Sequence, residues 1–328
     1  MVRARPVTVF ATACAAAALV LIAACAPVLA PPGTANDTPA LTQTGFLARD
    51  GERLPLRIWA ADHPQAVIVA LHGMSDYSNA FAMPGAWWAA HGITTLAYDQ
   101  RGFGQSDHRG LWPGSAALRR DLADAVAAAR TRYPGLPVFA LGESMGGAVL
   151  LSALATDDAP KVDGAILVAP AVWSRADMPL SYRAALWLSA HTFPGMHVSG
   201  SGLKIWPSDN IPMMRALARD PLFEHETRAD AVWGLVNLMD EARRAPAHLN
   251  APPPILFLYG KNDQVIPAEP TEAVVKALGN RAETHRYDQG YHMLLRDLDA
   301  ETVWKDAATW IDARAVMPVA AAAPAAAR

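Results

Sequence analysis

A serine between glycines follows an apolar run near the middle of the chain. Residues 142–147 read Gly-Glu-Ser-Met-Gly-Gly, after the apolar run 137–141 and at the start of a helical pattern over 145–156. A G-x-S-x-G pentapeptide between a strand and a helix is typical of a nucleophilic serine on a strained turn, where bulk at either glycine would collide with a neighbouring element. The pattern predicts Ser144 as a nucleophile.

A serine hydroxyl is a weak nucleophile, so it needs a base within hydrogen-bonding reach and an acid that orients the base. Asp263 follows the strand predicted at 254–259, and His292 follows the strand predicted at 283–287. Open α/β sheets place their sites at such strand ends. We therefore predict a catalytic triad of Ser144, Asp263 and His292.

Two other residues compete for these roles. His285 is a candidate base, but it lies inside the predicted strand 283–287. Asp288 is a candidate acid, but it follows the strand that delivers the histidine.

Ester hydrolysis also needs backbone N–H groups that bind the developing oxyanion. Met145 follows the nucleophile and opens a helix, whose N-terminus favours anions. Met74 follows Gly73 in the loop after the strand predicted at 66–71, and we predict its N–H as the second donor of the oxyanion hole. His72 is expected to brace this loop from a buried position.

The elements that must position these residues alternate along the chain. Strands are predicted at 45–49, 53–60, 66–71, 93–98, 137–141, 164–169, 254–259 and 283–287. Helices are predicted near 78–91, 116–132, 145–156, 269–278 and 299–314. This alternation predicts an α/β fold with a mostly parallel eight-stranded sheet flanked by helices.

A long interval after the sixth predicted strand interrupts the alternation. Residues 171–250 carry four tryptophans and several methionines, and 232–239 show apolar side chains at helical spacing. We predict a helical cap over 171–250 that covers the sheet and lines an apolar substrate channel. The core of the domain would then comprise residues 41–170 and 251–316.

The two ends of the chain differ from this core. Residues 1–25 begin with two arginines, continue with an apolar run and end Leu-Ile-Ala-Ala-Cys, which resembles a bacterial lipobox. We predict a signal peptide with lipidation at Cys25, a flexible tether over 26–40 and a disordered Ala/Pro tail over 317–328. An ordinary signal peptide or a short membrane anchor is the alternative.

Ala26 follows the cysteine, so the resemblance to Gram-negative lipoproteins implies an exported protein on the outer membrane, facing the periplasm. The net charge of −3 does not indicate the basic surface that nucleic-acid-binding proteins carry. Both cysteines, Cys14 and Cys25, precede the core, which leaves the core without a disulfide or a thiolate metal site. The oligomeric state stays open.

Several segments resemble the monoacylglycerol lipase and lysophospholipase (serine aminopeptidase S33-like) group of α/β-hydrolases. They are 72–74, 98–106, 142–147, 208–210 and 220–222, together with Asp263 and His292. The likeness spans about residues 41–315 and implies the α/β-hydrolase fold. It also implies hydrolysis of a single-chain lipid ester, without metal or organic cofactor.

One residue departs from part of this group, and two other functions stay open. Glu143 stands where animal monoacylglycerol lipases usually carry histidine. Residues 99–102 also resemble proline aminopeptidases, although those enzymes usually carry His-Gly-Gly-Pro-Gly where this chain has 72–76. A non-catalytic lipid-binding module on the same fold is the third possibility.

Overall fold

The computed structural model describes residues 26–42, 45–200, 202 and 204–315. The predicted signal peptide with Cys25 and the predicted tail over 317–328 lie outside the described residues. Both stay predictions.

A seven-stranded sheet forms the centre of the molecule. Its strands are β1 (Leu56–Trp59), β2 (Ala66–Leu71), β3 (Ile93–Tyr98), β4 (Val138–Glu143), β5 (Gly164–Val168), β6 (Ile255–Gly260) and β7 (Ala282–Tyr287). Their order across the sheet is β7-β6-β5-β4-β2-β3-β1, and only β1 runs antiparallel to its neighbour. Strands β2 to β6 are buried along their whole length, as parallel strands covered on both faces must be.

Helices cover both faces of this sheet. They are α1 (Ala82–Ala90), α2 (Ser115–Arg132), α3 (Met145–Ala153), α4 (Leu180–Thr192), α5 (Ile211–Leu217), α6 (Ala229–Arg244), α7 (Ala268–Leu278) and α8 (Ala300–Ala315). Short 3₁₀ helices span Ser78–Phe81, Ala245–Ala247 and Gly279–Arg281. One apolar core includes side chains of α2, α3 and α6, and a second core includes side chains of α1 and α8.

The central sheet has one strand fewer than the sequence predicts. The predicted first strand is only Phe46–Leu47, which pairs with Ala40–Leu41 and Arg53–Leu54 in a separate small sheet. The predicted strand 53–60 divides at Pro55, which has no N–H to donate to a ladder. The insert at 171–250 therefore follows the fifth strand of the central sheet, not the sixth.

In its described residues the insert forms three α-helices, one short 3₁₀ helix and one short ladder. Helices α4, α5 and α6 lie within it, and His197–Val198 pairs with Thr227–Arg228. Helix α6 packs against α3, the helix that begins beside Ser144. This contact sets the insert over the carboxyl end of β4.

Residues 26–40 differ from the flexible tether that their composition suggests. The N–H of Ala30 donates to the carbonyl of Trp112 at 2.9 Å, and the N–H of Ala35 donates to the carbonyl of Asp50 at 3.1 Å. Backbone donors that find partners in this way fix a segment even where side chains carry little apolar surface. The segment lies along the core instead of projecting from it.

A buried arginine joins the loop after β3 to two other elements. Arg101 Nε lies 2.7 Å from Asp121 Oδ2, and Arg101 Nη2 lies 2.7 Å from Asp50 Oδ1. Burial raises the pKa of Asp121 to about 6, against the opposing effect of Arg101. Breaking a buried pair of this kind leaves an uncompensated charge.

We expect Arg101→Leu to lower the free energy of unfolding by about 3–5 kcal/mol, because Asp121 loses its buried partner. Chemical denaturation followed by circular dichroism measures this change. The control Arg53→Leu alters an exposed arginine and should change stability by no more than about 0.5 kcal/mol. If the two substitutions lower the free energy of unfolding equally, the buried pair of Arg101 and Asp121 does not stabilise the fold more than an exposed arginine does.

Candidate active site

Ser144 occupies a strained turn between β4 and α3. Its φ of 53° and ψ of −114° lie in a region that non-glycine residues rarely adopt. A Cβ atom on Gly142 would lie 2.3 Å from the carbonyl oxygen of Gly146, and one on Gly146 would lie 2.2 Å from that of Leu71. Only glycine therefore permits this approach of helix to sheet.

A continuous hydrogen-bonded chain runs from Ser144 to Asp263. His292 Nε2 lies 2.9 Å from Ser144 Oγ, and His292 Nδ1 lies 2.8 Å from Asp263 Oδ2. Asp263 Oδ1 accepts hydrogen bonds from the N–H groups of Val265 and Ile266, at 2.8 and 2.9 Å. The structure brings together the three side chains that the sequence predicts, each in a loop directly after its strand.

The surroundings of His292 favour its protonated form. Burial alone lowers the pKa of this imidazole, but the negative charge of Asp263, its hydrogen bond and the charge of Glu143 outweigh burial. The positive charge of Arg296 opposes them only in part, so the pKa of His292 lies above 6.5. A base of this kind takes up a proton readily and is neutral only above that pKa.

The two competing candidates are engaged elsewhere. His285 contacts Glu283 Oε1 at 3.0 Å and Asp306 Oδ2 at 3.3 Å. Asp288 is exposed and pairs with Lys261 Nζ at 2.6 Å. Their partners lie on the surface beside β7, not at the turn that holds Ser144.

The two predicted oxyanion donors lie on either side of Ser144. Met145 is the first residue of α3, and Met74 follows Gly73, where a Cβ atom would lie 3.2 Å from Ser144 Cβ. Within the described part of the chain, neither the Met74 nor the Met145 N–H donates a hydrogen bond. Two such donors beside a nucleophile are the arrangement that stabilises a tetrahedral oxyanion.

His72 braces the loop that carries Met74. Its Nε2 accepts a hydrogen bond from the N–H of Gln100 at 2.9 Å, which assigns the proton to Nδ1, 2.8 Å from the carbonyl oxygen of Gly73. Burial lowers the pKa of His72, so the ring is neutral. Its contacts position backbone and do not face the cavity.

The sequence did not predict a cluster of buried ion pairs that lies beneath the site. Arg296 Nη2 lies 2.7 Å from Asp76 Oδ2 and 3.3 Å from Glu143 Oε2, and all three residues are buried. Glu143 and Arg296 are 153 positions apart. The signal available in the sequence was Glu143 itself, since a carboxylate that ends a buried strand requires a cation.

Ser144 and His292 lie in the wall of an apolar cavity of about 630 Å³. The insert supplies much of the remaining wall, including Trp173, Met178, Tyr182, Leu186, Val232, Leu235, Val236 and Met239. Other aromatic residues of the insert, Trp187, Phe193 and Trp206, are exposed instead. A cavity of this size and character fits an apolar ligand chain.

Carboxylate and imidazole side chains also serve as metal ligands. Among the residues that the structure describes, no three His, Cys, Asp or Glu side chains come together as a possible cation site.

A family model described as "serine aminopeptidase, S33" matches residues 62–299. Human monoglyceride lipase is 25% identical over 287 residues, which cover 84% of this chain and 92% of the relative. A phospholipase of Bacillus subtilis is 25% identical over 264 residues, covering 77% of this chain and 98% of the relative. A soluble variant of monoglyceride lipase from Saccharomyces cerevisiae, solved with a substrate analogue, superimposes with a TM-score of 0.71 at 18% identity, covering 88% of this chain and 99% of that one.

The chain belongs to this family, since the match extends over well more than half of its length. It is a hydrolase of the monoacylglycerol lipase and lysophospholipase group, as the motifs predict. The predicted α/β-hydrolase fold is likewise confirmed.

We expect Glu143→Gln to lower the pKa of His292, because the substitution removes a negative charge that raises it and leaves Arg296 in place. Nuclear magnetic resonance of the imidazole ring across a pH series measures this pKa directly. The imidazole of the parent should titrate above its usual pKa, and that of the variant at a lower pH than in the parent.

Asp288→Asn is the matched control. It removes a carboxylate that is 74% exposed in the loop leading to His292, where solvent screens its charge. We expect the pKa of His292 to fall more in Glu143→Gln than in Asp288→Asn. Equal falls in the two variants would contradict an electrostatic role for Glu143.

Proposed function

We propose that this protein is a serine carboxylic-ester hydrolase that acts on single-chain lipid esters, either monoacylglycerol or lysophospholipid. The observation that carries the proposal is the hydrogen-bonded chain Ser144–His292–Asp263, which opens into an apolar cavity of about 630 Å³. The names of the human and Bacillus subtilis relatives, a monoglyceride lipase and a phospholipase, are consistent with both substrates.

The proposed reaction proceeds through an acyl-enzyme. Ser144 Oγ attacks the ester carbonyl carbon while His292 Nε2 takes the hydroxyl proton, and Asp263 holds the other ring nitrogen and stabilises the imidazolium. The tetrahedral intermediate collapses, the carbon–oxygen bond to the alcohol breaks, and His292 returns the proton to the leaving oxygen. Water then attacks the acyl-serine with His292 again as base, which releases the fatty acid and restores Ser144.

Met74 and Met145 are the proposed oxyanion donors. Both N–H groups lack a hydrogen-bond acceptor in the described part of the chain and flank Ser144. Loss of one such donor costs about 3 kcal/mol of transition-state stabilisation in comparable sites. Their fixed backbone positions mean that no reorganisation is needed as charge develops.

The proposed acyl site is the cavity beneath the insert. Its wall is formed by side chains such as Met178, Leu186 and Met239, which offer apolar contact along a hydrocarbon chain. An acyl chain bound there would present its carbonyl carbon at Ser144. Binding of the chain would thus contribute to orienting the reacting bond.

The purified enzyme should hydrolyse monoacylglycerols or lysophospholipids, and Ser144→Ala should reduce turnover at least about a thousandfold. Release of fatty acid from a panel of monoacylglycerols, lysophospholipids and short aryl esters is measured by titration. Ser152→Ala is the control. This hydroxyl lies on α3, the helix that follows Ser144, and it donates only to the carbonyl of Val149.

This panel, extended by a proline anilide and a fluorophosphonate probe, has outcomes that would contradict part or all of the proposal. Cleavage of aryl esters alone would retain the serine mechanism and remove the lipid substrate. Cleavage of a proline anilide in preference to every ester would favour an aminopeptidase. Equal rates for the parent and Ser144→Ala, or no labelling by a fluorophosphonate, would favour a non-catalytic lipid-binding protein.

We also propose that the mature protein is a lipoprotein, acylated on Cys25 and anchored to the outer membrane facing the periplasm. The support is the Leu-Ile-Ala-Ala-Cys run at 21–25 behind a basic, apolar leader. Across the described residues, every helix is too short or too polar to cross a bilayer. Several acyl chains on one cysteine would anchor it durably, since each buried methylene contributes about 0.8 kcal/mol.

Cys25→Ser should move the protein from the membrane fraction to the soluble fraction, because the substitution removes the proposed site of acylation. Cell fractionation with immunoblotting measures the change, and Cys14→Ser serves as the control within the same leader. A variant that stays in the membrane fraction to the same extent as the parent would contradict lipidation as the anchor.

A further inference from the structure

The loop that carries His292 follows a strand with little support from the sheet. Strand β7 lies at the edge of the sheet, where it pairs with β6 on one side, and its side chains are exposed or half-buried. Ser144 and Asp263 instead follow β4 and β6, which are buried along their whole length. A base needs a fixed position relative to the nucleophile, because a small displacement of a catalytic group lowers the rate steeply. Contacts from outside the sheet are therefore needed to hold His292 in place.

One side of this loop contacts the loop of the proposed acid. The N–H of Asn262 donates to the carbonyl of Gly290 at 2.9 Å, and the N–H of Lys261 donates to the carbonyl of Tyr287 at 2.9 Å. These bonds join the backbones that carry the acid and the base. Neither bond involves a residue next to His292.

The N–H groups on the two sides of His292 have partners from other parts of the chain. The N–H of Tyr291 donates to Asp297 Oδ2 at 2.7 Å, and the N–H of Met293 donates to the carbonyl of Pro207 at 2.8 Å. Pro207 belongs to the insert, and Asp297 lies between β7 and α8. Hydrogen bonds around a catalytic side chain are what hold it in one productive geometry.

Asp297 connects the insert to this loop. Its other oxygen, Oδ1, accepts a hydrogen bond from Ser208 Oγ of the insert at 2.6 Å. Ser208 is fully buried, and Asp297 is only 5% exposed. Burial raises the pKa of Asp297 to about 6, against the hydrogen bonds from Ser208 and Tyr291, which lower it. A buried carboxylate is costly unless hydrogen bonds satisfy it, so these two donors fix the direction of the Asp297 side chain.

Two further hydrogen bonds join the insert to the residues after His292. Asn210 Nδ2 donates to the carbonyl of Arg296 at 2.8 Å, and the N–H of Leu298 donates to Asp209 Oδ1 at 2.8 Å. Arg296 is the cation of the buried cluster beneath the site. This part of the insert thus makes four hydrogen bonds to the segment that carries both the base and that cation.

We propose that Ser208 and Asp297 are positioning residues that, with the carbonyl of Pro207, fix the backbone on both sides of His292. The insert thereby takes part in the chemical step, in addition to forming the cavity wall. Neither Ser208 nor Asp297 lines the acyl cavity, and both act through the backbone of the His292 loop. The inference rests on the proposed function, which assigns His292 as the general base.

The first test separates positioning from substrate binding. Ser208→Ala removes the donor to Asp297 and should lower kcat for a water-soluble aryl ester about tenfold without changing KM, because a displaced base slows chemistry and not binding. The matched control Tyr287→Phe also removes a hydroxyl that donates to an aspartate, Asp306 Oδ2 at 2.8 Å, on the strand that leads to His292. It should keep the kcat of the parent. A kcat of Ser208→Ala equal to that of the control, or a loss confined to KM, would overturn the proposal.

Two substitutions at Asp297 distinguish hydrogen bonding from charge. Asp297→Ala removes both acceptors and should lower kcat about a hundredfold. Asp297→Asn keeps an oxygen that can accept from Tyr291 and an amide that can donate to Ser208, so it should restore most of the kcat lost in Asp297→Ala. An asparagine variant as slow as the alanine variant would contradict positioning by hydrogen bonds. If circular dichroism shows that Asp297→Ala does not fold, the comparison of Ser208→Ala with Tyr287→Phe decides the proposal.

The second test does not depend on activity. An imidazole proton held in a short hydrogen bond to a carboxylate gives a nuclear magnetic resonance signal far downfield, and His292 Nδ1 lies 2.8 Å from Asp263 Oδ2. The signal is assigned by its loss in His292→Gln. In Ser208→Ala it should move upfield or broaden through faster exchange with water, whereas in Tyr287→Phe it should stay as in the parent. An unchanged signal in Ser208→Ala would refute a positioning role.

The two tests distinguish failure of this inference from failure of the proposed function. A parent that cleaves no ester would refute the proposed function, whereas the downfield signal would still decide whether Ser208 positions His292. A parent that cleaves esters, with Ser208→Ala unchanged in both kcat and the signal, would retain the proposed function and overturn the inference.

Discussion

The close approach of α3 to the central sheet at Ser144 is the constraint on which the rest of the site depends. A Cβ atom on Gly146 would meet the carbonyl oxygen of Leu71 at 2.2 Å, so the helix can begin at the end of β4 only because that position is glycine. The cost is a strained backbone at Ser144, with φ of 53°. In return, the serine hydroxyl and the N–H of Met145 project from the same turn, and the loop after β2 is held beside them. The strain is maintained by buried strands on both sides of β4.

The buried charged residues around this turn are paired with residues of opposite charge from other parts of the chain. Glu143 and Asp76 lie on segments beside Ser144, and Arg296 pairs with both. Asp263 is paired with His292 and is also bound by two backbone N–H groups. Because these partners come from distant parts of the chain, each pair connects two segments that are far apart in sequence. Burial lowers the pKa of His292, but the negative charges of Asp263 and Glu143 raise it by more, and Arg296 opposes them only in part. Removing the charge of Asp263, Glu143 or Arg296 would change the pKa of His292 as well as the packing around the residue that is changed.

The insert at 171–250 has an inner and an outer surface that differ in exposure to solvent. Its inner side chains, such as Met178, Leu186 and Met239, form the wall of a cavity that contains Ser144 and His292. Its outer side chains, such as Leu188 and Phe193, remain exposed, which is an unusual arrangement for a helix that covers a core. The hydrogen bonds that hold residues 26–37 against the core bring the N-terminal side of the chain to the same region.

The sequence by itself determined the strands from β2 to β7 to within two residues. For β2, β4, β5 and β6 the reason is that buried parallel strands are apolar runs bounded by turn residues, whereas β7 is a polar, partly exposed strand at the edge of the sheet. It also determined that Ser144, Asp263 and His292 meet, since each follows a parallel strand and such strands end at one edge of the sheet. Only the tertiary structure decided that Arg296 pairs with Glu143, that Pro55 divides a predicted strand, that residues 26–40 lie along the core, and which insert side chains face the cavity. The physical reason is the separation along the chain of the residues that determine each feature. Periodicity and turn chemistry are local and can be read along the chain, whereas ion pairs and exposure depend on residues that folding brings together from far apart.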